Sequence, residues 1–159
     1  MAILETHHLS RRYGSLVALD DLNLKVEAGE CFGFIGPNGA GKTTTIKILA
    51  TLLKPSSGEA RVCGFTVGWQ NSHIRPLIGY VPDFLGAYDD MLVREYLQFF
   101  ASCYGITGSR RSQVVDDALS LTDLGGKAEA PISGLSRGMS QRLAVARVLL
   151  HDPEGLLLD

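Results

Sequence analysis

The sequence is short of several features that would assign it to a compartment or partner. Its three cysteines, Cys31, Cys63 and Cys103, stand far apart, with no CxxC pair and no Cys/His cluster. An odd count without metal-ligand spacing excludes a disulfide framework and a thiolate metal centre. It predicts reduced side chains packed as small apolar groups, in a cytosolic compartment. No apolar run reaches the roughly 20 residues needed to cross a bilayer. The opening MAILETHHLSRRYG also lacks the apolar stretch of a signal peptide. Service to a membrane is therefore expected to run through a partner. Charge of one sign is missing too: the net charge is −2 over 159 residues. That excludes a strongly basic surface, so no nucleic-acid partner is expected. Repeats, low-complexity stretches and linkers are absent.

What is present is ordinary globular material, 45% hydrophobic and 20% charged, in a length that suits one domain with a real core. Residues 2–8 read as extended, and residues 22–26 alternate apolar and polar through Leu22, Leu24 and Val26. Residues 31–35 form a short apolar run, the pattern of a strand buried on both faces. A helix is expected over 42–53, stopped by Pro55, then a strand pair over 59–67 and a strand over 78–81. From there the period becomes helical. Val93, Tyr96, Leu97, Phe100, Ala101 and Tyr104 fall on one helix face. Further helices are expected over 112–124 and from Ser136 to about His151, the latter with Met139, Leu143, Ala146 and Leu150 on one stripe. Residues 155–159 read as a buried strand ending in a carboxylate. Strands alternating with helices predict an α/β fold with a mixed or parallel sheet and a helical insertion.

The strongest chemical signal is Gly36-Pro37-Asn38-Gly39-Ala40-Gly41-Lys42-Thr43-Thr44, which matches GxxxxGK followed by Thr. Glycines allow the backbone to wrap closely around phosphate oxygens with its N–H groups turned inward. The helix that follows aims its N-terminal amides at the same anion. Lys42 adds positive charge for the terminal phosphates, and the Thr43 hydroxyl suits a Mg²⁺ shell. The motif lies between an apolar run and a helix, where this mechanism needs it. Alone it leaves kinases, GTPases and helicases open. A second signal is Leu135-Ser136-Arg137-Gly138-Met139-Ser140-Gln141-Arg142. Ser136 suits an N-cap and Gly138 permits close backbone approach to an oxyanion, although an ordinary capped helix has the same look.

With both segments in view, residues 135–142 resemble the LSGGQ-type signature of the ABC transporter ATPase family, at a suitable distance after the phosphate loop. Tyr13, within Arg12-Tyr13-Gly14, matches the family's adenine-stacking aromatic. Residues 78–83 resemble the segment that carries the Q-loop, and Leu156-Leu157-Leu158-Asp159 matches the Walker B strand. The resemblance covers the whole chain. The wording SRGM followed by QR is similar to the subgroup that serves ABC-2-type and multidrug exporters. It implies a P-loop cassette with a mixed-sheet core (about 1–82 and 152–159) and a helical, signature-bearing part (about 83–151). It further implies ATP and Mg²⁺ as cofactors, with Asp159 holding the metal through water, a second cassette bound head to tail, and transmembrane permease subunits. The protein would then be cytoplasmic and peripheral at the inner face of the membrane. Ser136 and Gly138 would meet the phosphate cradled by residues 36–44 of the other cassette, and residues 84–92 would lie near the permease.

Three departures qualify those implications. Asp83 stands where the Q-loop glutamine is expected; as a charged acceptor it is a further candidate Mg²⁺ ligand. Arg137 and Met139 replace a glycine and the glutamine of the signature. The glutamate and the switch histidine expected after Asp159 are absent, so the sequence reads as a cassette cut at Walker B, with an unpaired sheet edge and exposed apolar surface. ATPase activity therefore rests on the resemblance. A nucleotide-binding module without turnover and a soluble, non-transport ABC protein acting on ribosomes or DNA are the alternatives.

Overall fold

The computed structural model describes all residues except Met1, Ala87 and Asp89. Ala87 and Asp89 fall inside the 84–92 segment, so that expectation lies partly outside the described residues. The chain divides into two compact units, residues 1–80 with 154–159, and residues 81–153.

The first unit begins with an antiparallel hairpin of β1 (Ala2–Tyr13) and β2 (Leu16–Glu27). Its turn is Gly14-Ser15, with Gly14 at φ 57°, the positive φ that two-residue hairpin turns need. β3 (Ser57–Val62) pairs with the other edge of β1, and β4 (Phe65–Thr66) with β3, giving the sheet order β2-β1-β3-β4. Gly58 has φ +79°, and a Cβ there would lie 2.1 Å from the His8 carbonyl oxygen. Only glycine allows β3 to cross β1 so closely at this point. Helix α1 (Lys42–Leu49) buries Thr45, Ile46, Ile48 and Leu49. Ile46, Ile48 and Leu49 meet Leu9, Ala60 and Val62 of the sheet in one apolar cluster. The helix stops before Pro55 because Thr51 turns left-handed at φ 63°. The Leu52 amide then donates to the Lys47 carbonyl, closing the helix with a reversed turn. After the short α2 (Asn71–Ile74), strands β5 (Ile78–Val81) and β6 (Gly155–Leu158) form a separate two-stranded sheet.

Residues 31–35 do not form the expected strand. No ladder includes them among the described residues, and Phe32 and Ile35 are 51% and 100% exposed. An apolar run becomes a strand only where it meets a neighbour's hydrogen-bonding edge, and this segment pairs with none among the described residues. In β6 only Leu157 is buried, while Leu156 and Leu158 are exposed, so that strand is not enclosed on both faces either. Cys31 and Cys103 are exposed and Cys63 half-buried, all as free thiols. The packing expectation thus fails for two of the three: Cys31 shares the unpaired segment, and Cys103 lies off the apolar stripe of its helix.

The second unit is built around α3 (Val93–Cys103), α4 (Gly108–Leu121) and α5 (Arg137–Leu149). The expected stripe on α3 is buried at Val93, Tyr96, Leu97 and Ala101. It packs against Val115, Ala118 and Leu119 of α4 and Leu143, Ala146 and Leu150 at α5. α4 begins and ends earlier than its pattern predicts. Asp123 turns left-handed at φ 54°, and the Leu124 amide returns to the Leu119 carbonyl, which ends the helix. Among the described residues no helix is long and apolar enough to cross a membrane.

Two outcomes follow for stability. Leu143 is fully buried at the meeting of the three helices, so Leu143→Ala is expected to cost about 2–5 kcal/mol, read by urea unfolding followed by circular dichroism. Burial also pushes the Tyr96 phenol up, and nearby Arg147 lowers it by less. A raised folded-state value means that the folded chain keeps a proton the unfolded chain gives up. Stability is therefore full below the ordinary tyrosine value and is lost as pH rises beyond it. Unfolding at a series of alkaline pH values should show this decline, and Tyr96→Phe should flatten it.

Candidate nucleotide-binding site

The phosphate-loop motif is an irregular turn between residues 31–35 and α1. Gly39 and Gly41 both have positive φ, 85° and 86°. At Gly41 a Cβ would stand 2.6 Å from the Ala18 carbonyl oxygen and 3.2 Å from the Leu19 side chain. The loop therefore lies directly on β2 and tolerates no side chain at that point. The Ala40 amide donates to the Pro37 carbonyl at 3.2 Å, tightening the turn. Thr45, buried in the first turn of α1, bonds the Gly41 carbonyl through both its amide and its hydroxyl, each at 2.9 Å.

Lys42 donates from its Nζ to the carbonyls of Gly36 and Pro37, both at 2.6 Å. The ammonium is thus folded back over the mouth of its own loop. Next in sequence, Thr43 donates its hydroxyl to Asp159 Oδ1 at 2.7 Å. Residues 116 positions apart are joined here by one hydrogen bond. The other carboxylate oxygen, Oδ2, accepts from the Tyr80 hydroxyl at 3.3 Å. Burial, and then the charge and hydrogen bond of Asp159, push the Tyr80 phenol up, so it remains a proton-bearing donor at neutral pH.

A hydroxyl and a carboxylate in contact are hard oxygen donors of the kind Mg²⁺ takes. Mg²⁺ is commonly held by one or two carboxylates plus substrate phosphates and water. Among the described residues no group of three or more His, Cys, Asp or Glu side chains is arranged to hold a metal by itself. The pair therefore fits a Mg²⁺ that arrives with a nucleotide.

Tyr13 ends β1 with its ring 46% exposed. The Arg11 guanidinium lies over that ring, 4.5 Å from its centroid, and donates to the Lys54 carbonyl at 2.9 Å. The ring is thus backed by a cation and open enough to stack on a ligand.

The remaining candidates belong to the second unit. Asp83 is exposed, two residues beyond β5. Ser136 caps α5, its hydroxyl accepting from the Met139 amide at 3.3 Å. Gly138 stands in the first turn, where an added Cβ would meet nothing within 4 Å. Arg142 holds the signature helix in place. From the same nitrogen it donates to the carbonyls of Thr122 and Asp123 and to the Asp123 carboxylate, at 3.3, 3.2 and 3.1 Å.

The sequence motifs assigned no part to Tyr80, Arg11 or Arg142. The only signal for them was position: each lies within or beside a segment already singled out.

Comparison with known proteins agrees with this geometry. A family profile described as ABC transporter matches residues 19–159. This chain belongs to the ABC transporter family. Among curated relatives, the Nod factor export ATP-binding protein I of Burkholderia pseudomallei (strain K96243) is 40% identical over 159 residues, covering 100% of this chain and 52% of its own length. That of Cupriavidus metallidurans is 39% identical over 158 residues, with the same 52% of its length matched. The chain thus spans about half the length of the curated relatives it matches. Among solved structures, CbiO1 from Clostridium perfringens, described as part of the ABC transporter complex CbiONQ, superposes with a TM-score of 0.89 at 28% identity. The match covers 99% of this chain and 65% of that one. An ATP-binding subunit of an ABC transporter superposes with a TM-score of 0.85 at 27% identity. Both support an α/β ABC cassette.

Within this cassette the tight contact at Gly41 yields a direct test. Gly41→Ala forces a side chain against the Ala18 carbonyl in a left-handed backbone, and is expected to cost about 1–3 kcal/mol. A thermal melt that matched the parent would show that the loop is free to move off β2.

Proposed function

We propose that the chain is the ATP-binding part of an ABC exporter. It would bind Mg-ATP at residues 36–44 and, paired with a second cassette and seated on transmembrane permease subunits, hydrolyse it to drive export. What supports this best is the junction of the glycine loop with the Thr43–Asp159 pair in a chain of this family. The relatives named for Nod factor export favour the ABC-2-type exporter subgroup. On this reading the protein works in the cytoplasm, at the inner face of the membrane.

The roles divide by chemistry. The loop amides and the first turn of α1 receive the phosphate oxygens. Lys42 exchanges two neutral carbonyl acceptors for charged phosphate oxygens, which bind an ammonium more strongly. Tyr13 stacks on adenine through the ring face turned away from Arg11. Thr43 and Asp159 would hold Mg²⁺, the latter through water. When bound, the metal would neutralise phosphate charge. Ser136 and Gly138 of one cassette would close on the phosphates held by the other. ATP would then pull two cassettes together, a rigid-body change that the permease feels.

Lys42→Ala is expected to abolish ATP binding, measured by titrating a fluorescent ATP analogue onto parent and variant. Undiminished affinity in the variant would sink the proposed cradle.

A further inference from the structure

We propose that Tyr80 is a positioning residue for the Asp159 carboxylate, and through it for the magnesium–nucleotide complex. The inference rests on the nucleotide-binding reading above and assigns Tyr80 a part that the phosphate-loop, signature and Walker B motifs do not.

The two oxygens of Asp159 have different partners. Oδ1 accepts from the Thr43 hydroxyl at 2.7 Å and Oδ2 from the Tyr80 hydroxyl at 3.3 Å. The terminal torsion of an aspartate is broad, so a carboxylate held by one oxygen swings about that contact. A second donor on the opposite oxygen fixes its plane. Each carboxylate oxygen accepts about two hydrogen bonds. With one donor on each, both keep a free direction for metal-bound water.

Tyr80 is suited to this task. It lies on β5, which pairs with β6, the strand that leads into Asp159. Its ring is half-buried and packs against the apolar cluster that includes Ile78 and Leu157. The ring is therefore placed by the core, and the hydroxyl comes with it at little further cost in freedom. Thr43 behaves otherwise. It is exposed at the mouth of the loop, and it is the group a bound metal would take for itself. Once Thr43 turns to the metal, Tyr80 is the donor left on Asp159.

The test uses the 159-residue chain and a fluorescent ATP analogue, titrated in EDTA and across a Mg²⁺ series. For Tyr80→Phe, affinity in EDTA should match the parent, while half-saturating Mg²⁺ should rise roughly tenfold, as expected for loss of one hydrogen bond to a charged group. Tyr80→Leu, which also lacks the donor, should show the same Mg²⁺ shift even if it melts earlier. In an Asp159→Asn background, Tyr80→Phe should add no further shift. An unchanged Mg²⁺ midpoint in Tyr80→Phe would overturn the proposal. So would equal losses with and without Mg²⁺, which mark a packing role alone. If the parent bound nucleotide with no dependence on Mg²⁺, the Tyr80 role would fall while nucleotide binding stood. If the parent bound no nucleotide, both would fall.

Discussion

The site depends on how closely the glycine loop lies against β2. With a Cβ at Gly41 only 2.6 Å from the Ala18 carbonyl, the loop has a single seat, and that seat fixes where α1 begins. Lys42 and Thr43 are the first two residues of α1, so their directions follow from the contact. The pairing of β1 with β2 positions Ala18, Ala18 positions Gly41, and the first turn of α1 then delivers Thr43 to Asp159. Core packing of Ile46, Ile48 and Leu49 beneath the sheet holds the far end of the helix. The site is therefore shaped by tertiary contacts of this chain.

Lys42 is held differently. Its ammonium is shared between two backbone carbonyls at 2.6 Å, which satisfies its charge within the loop. This local pairing stabilises the loop without a ligand and opposes phosphate binding only modestly. Neutral acceptors are weaker partners for an ammonium than phosphate oxygens are.

Local patterns in the sequence located what local physics determines. The 3.6-residue stripe through Val93, Tyr96, Leu97 and Ala101 is buried in α3, Ser136 caps α5, and residues 78–81 and 155–158 are strands. What the patterns missed was set by partners distant in sequence. Residues 31–35 have the composition of a strand but join no ladder among the described residues. α1 and α4 end where Thr51 and Asp123 turn left-handed, and neither residue type announces that conformation as glycine does. Tyr80 and Asp159 are 79 residues apart, and no period in the chain relates them. Arg142 is half legible: it belongs to the signature stretch, but its grip on the end of α4 is a tertiary fact.

The glycines of the two motifs carry different information. Gly41 has a positive φ and a carbonyl pressed against it, so the chain itself demands a glycine there. Gly138 has neither: no left-handed backbone, and no atom within 4 Å of an added Cβ. Alanine would sit better in that helical turn by up to about 1 kcal/mol. Among the described residues nothing accounts for a glycine at that exposed position. Beside it, Ser136 already spends its hydroxyl on the Met139 amide, and Arg142 anchors the helix from behind. A capped helix N-terminus with an exposed glycine in its first turn is suited to receive an anion presented by another molecule. In the proposed head-to-tail pairing the terminal phosphate of ATP would be such an anion, and the open space at Gly138 would admit it.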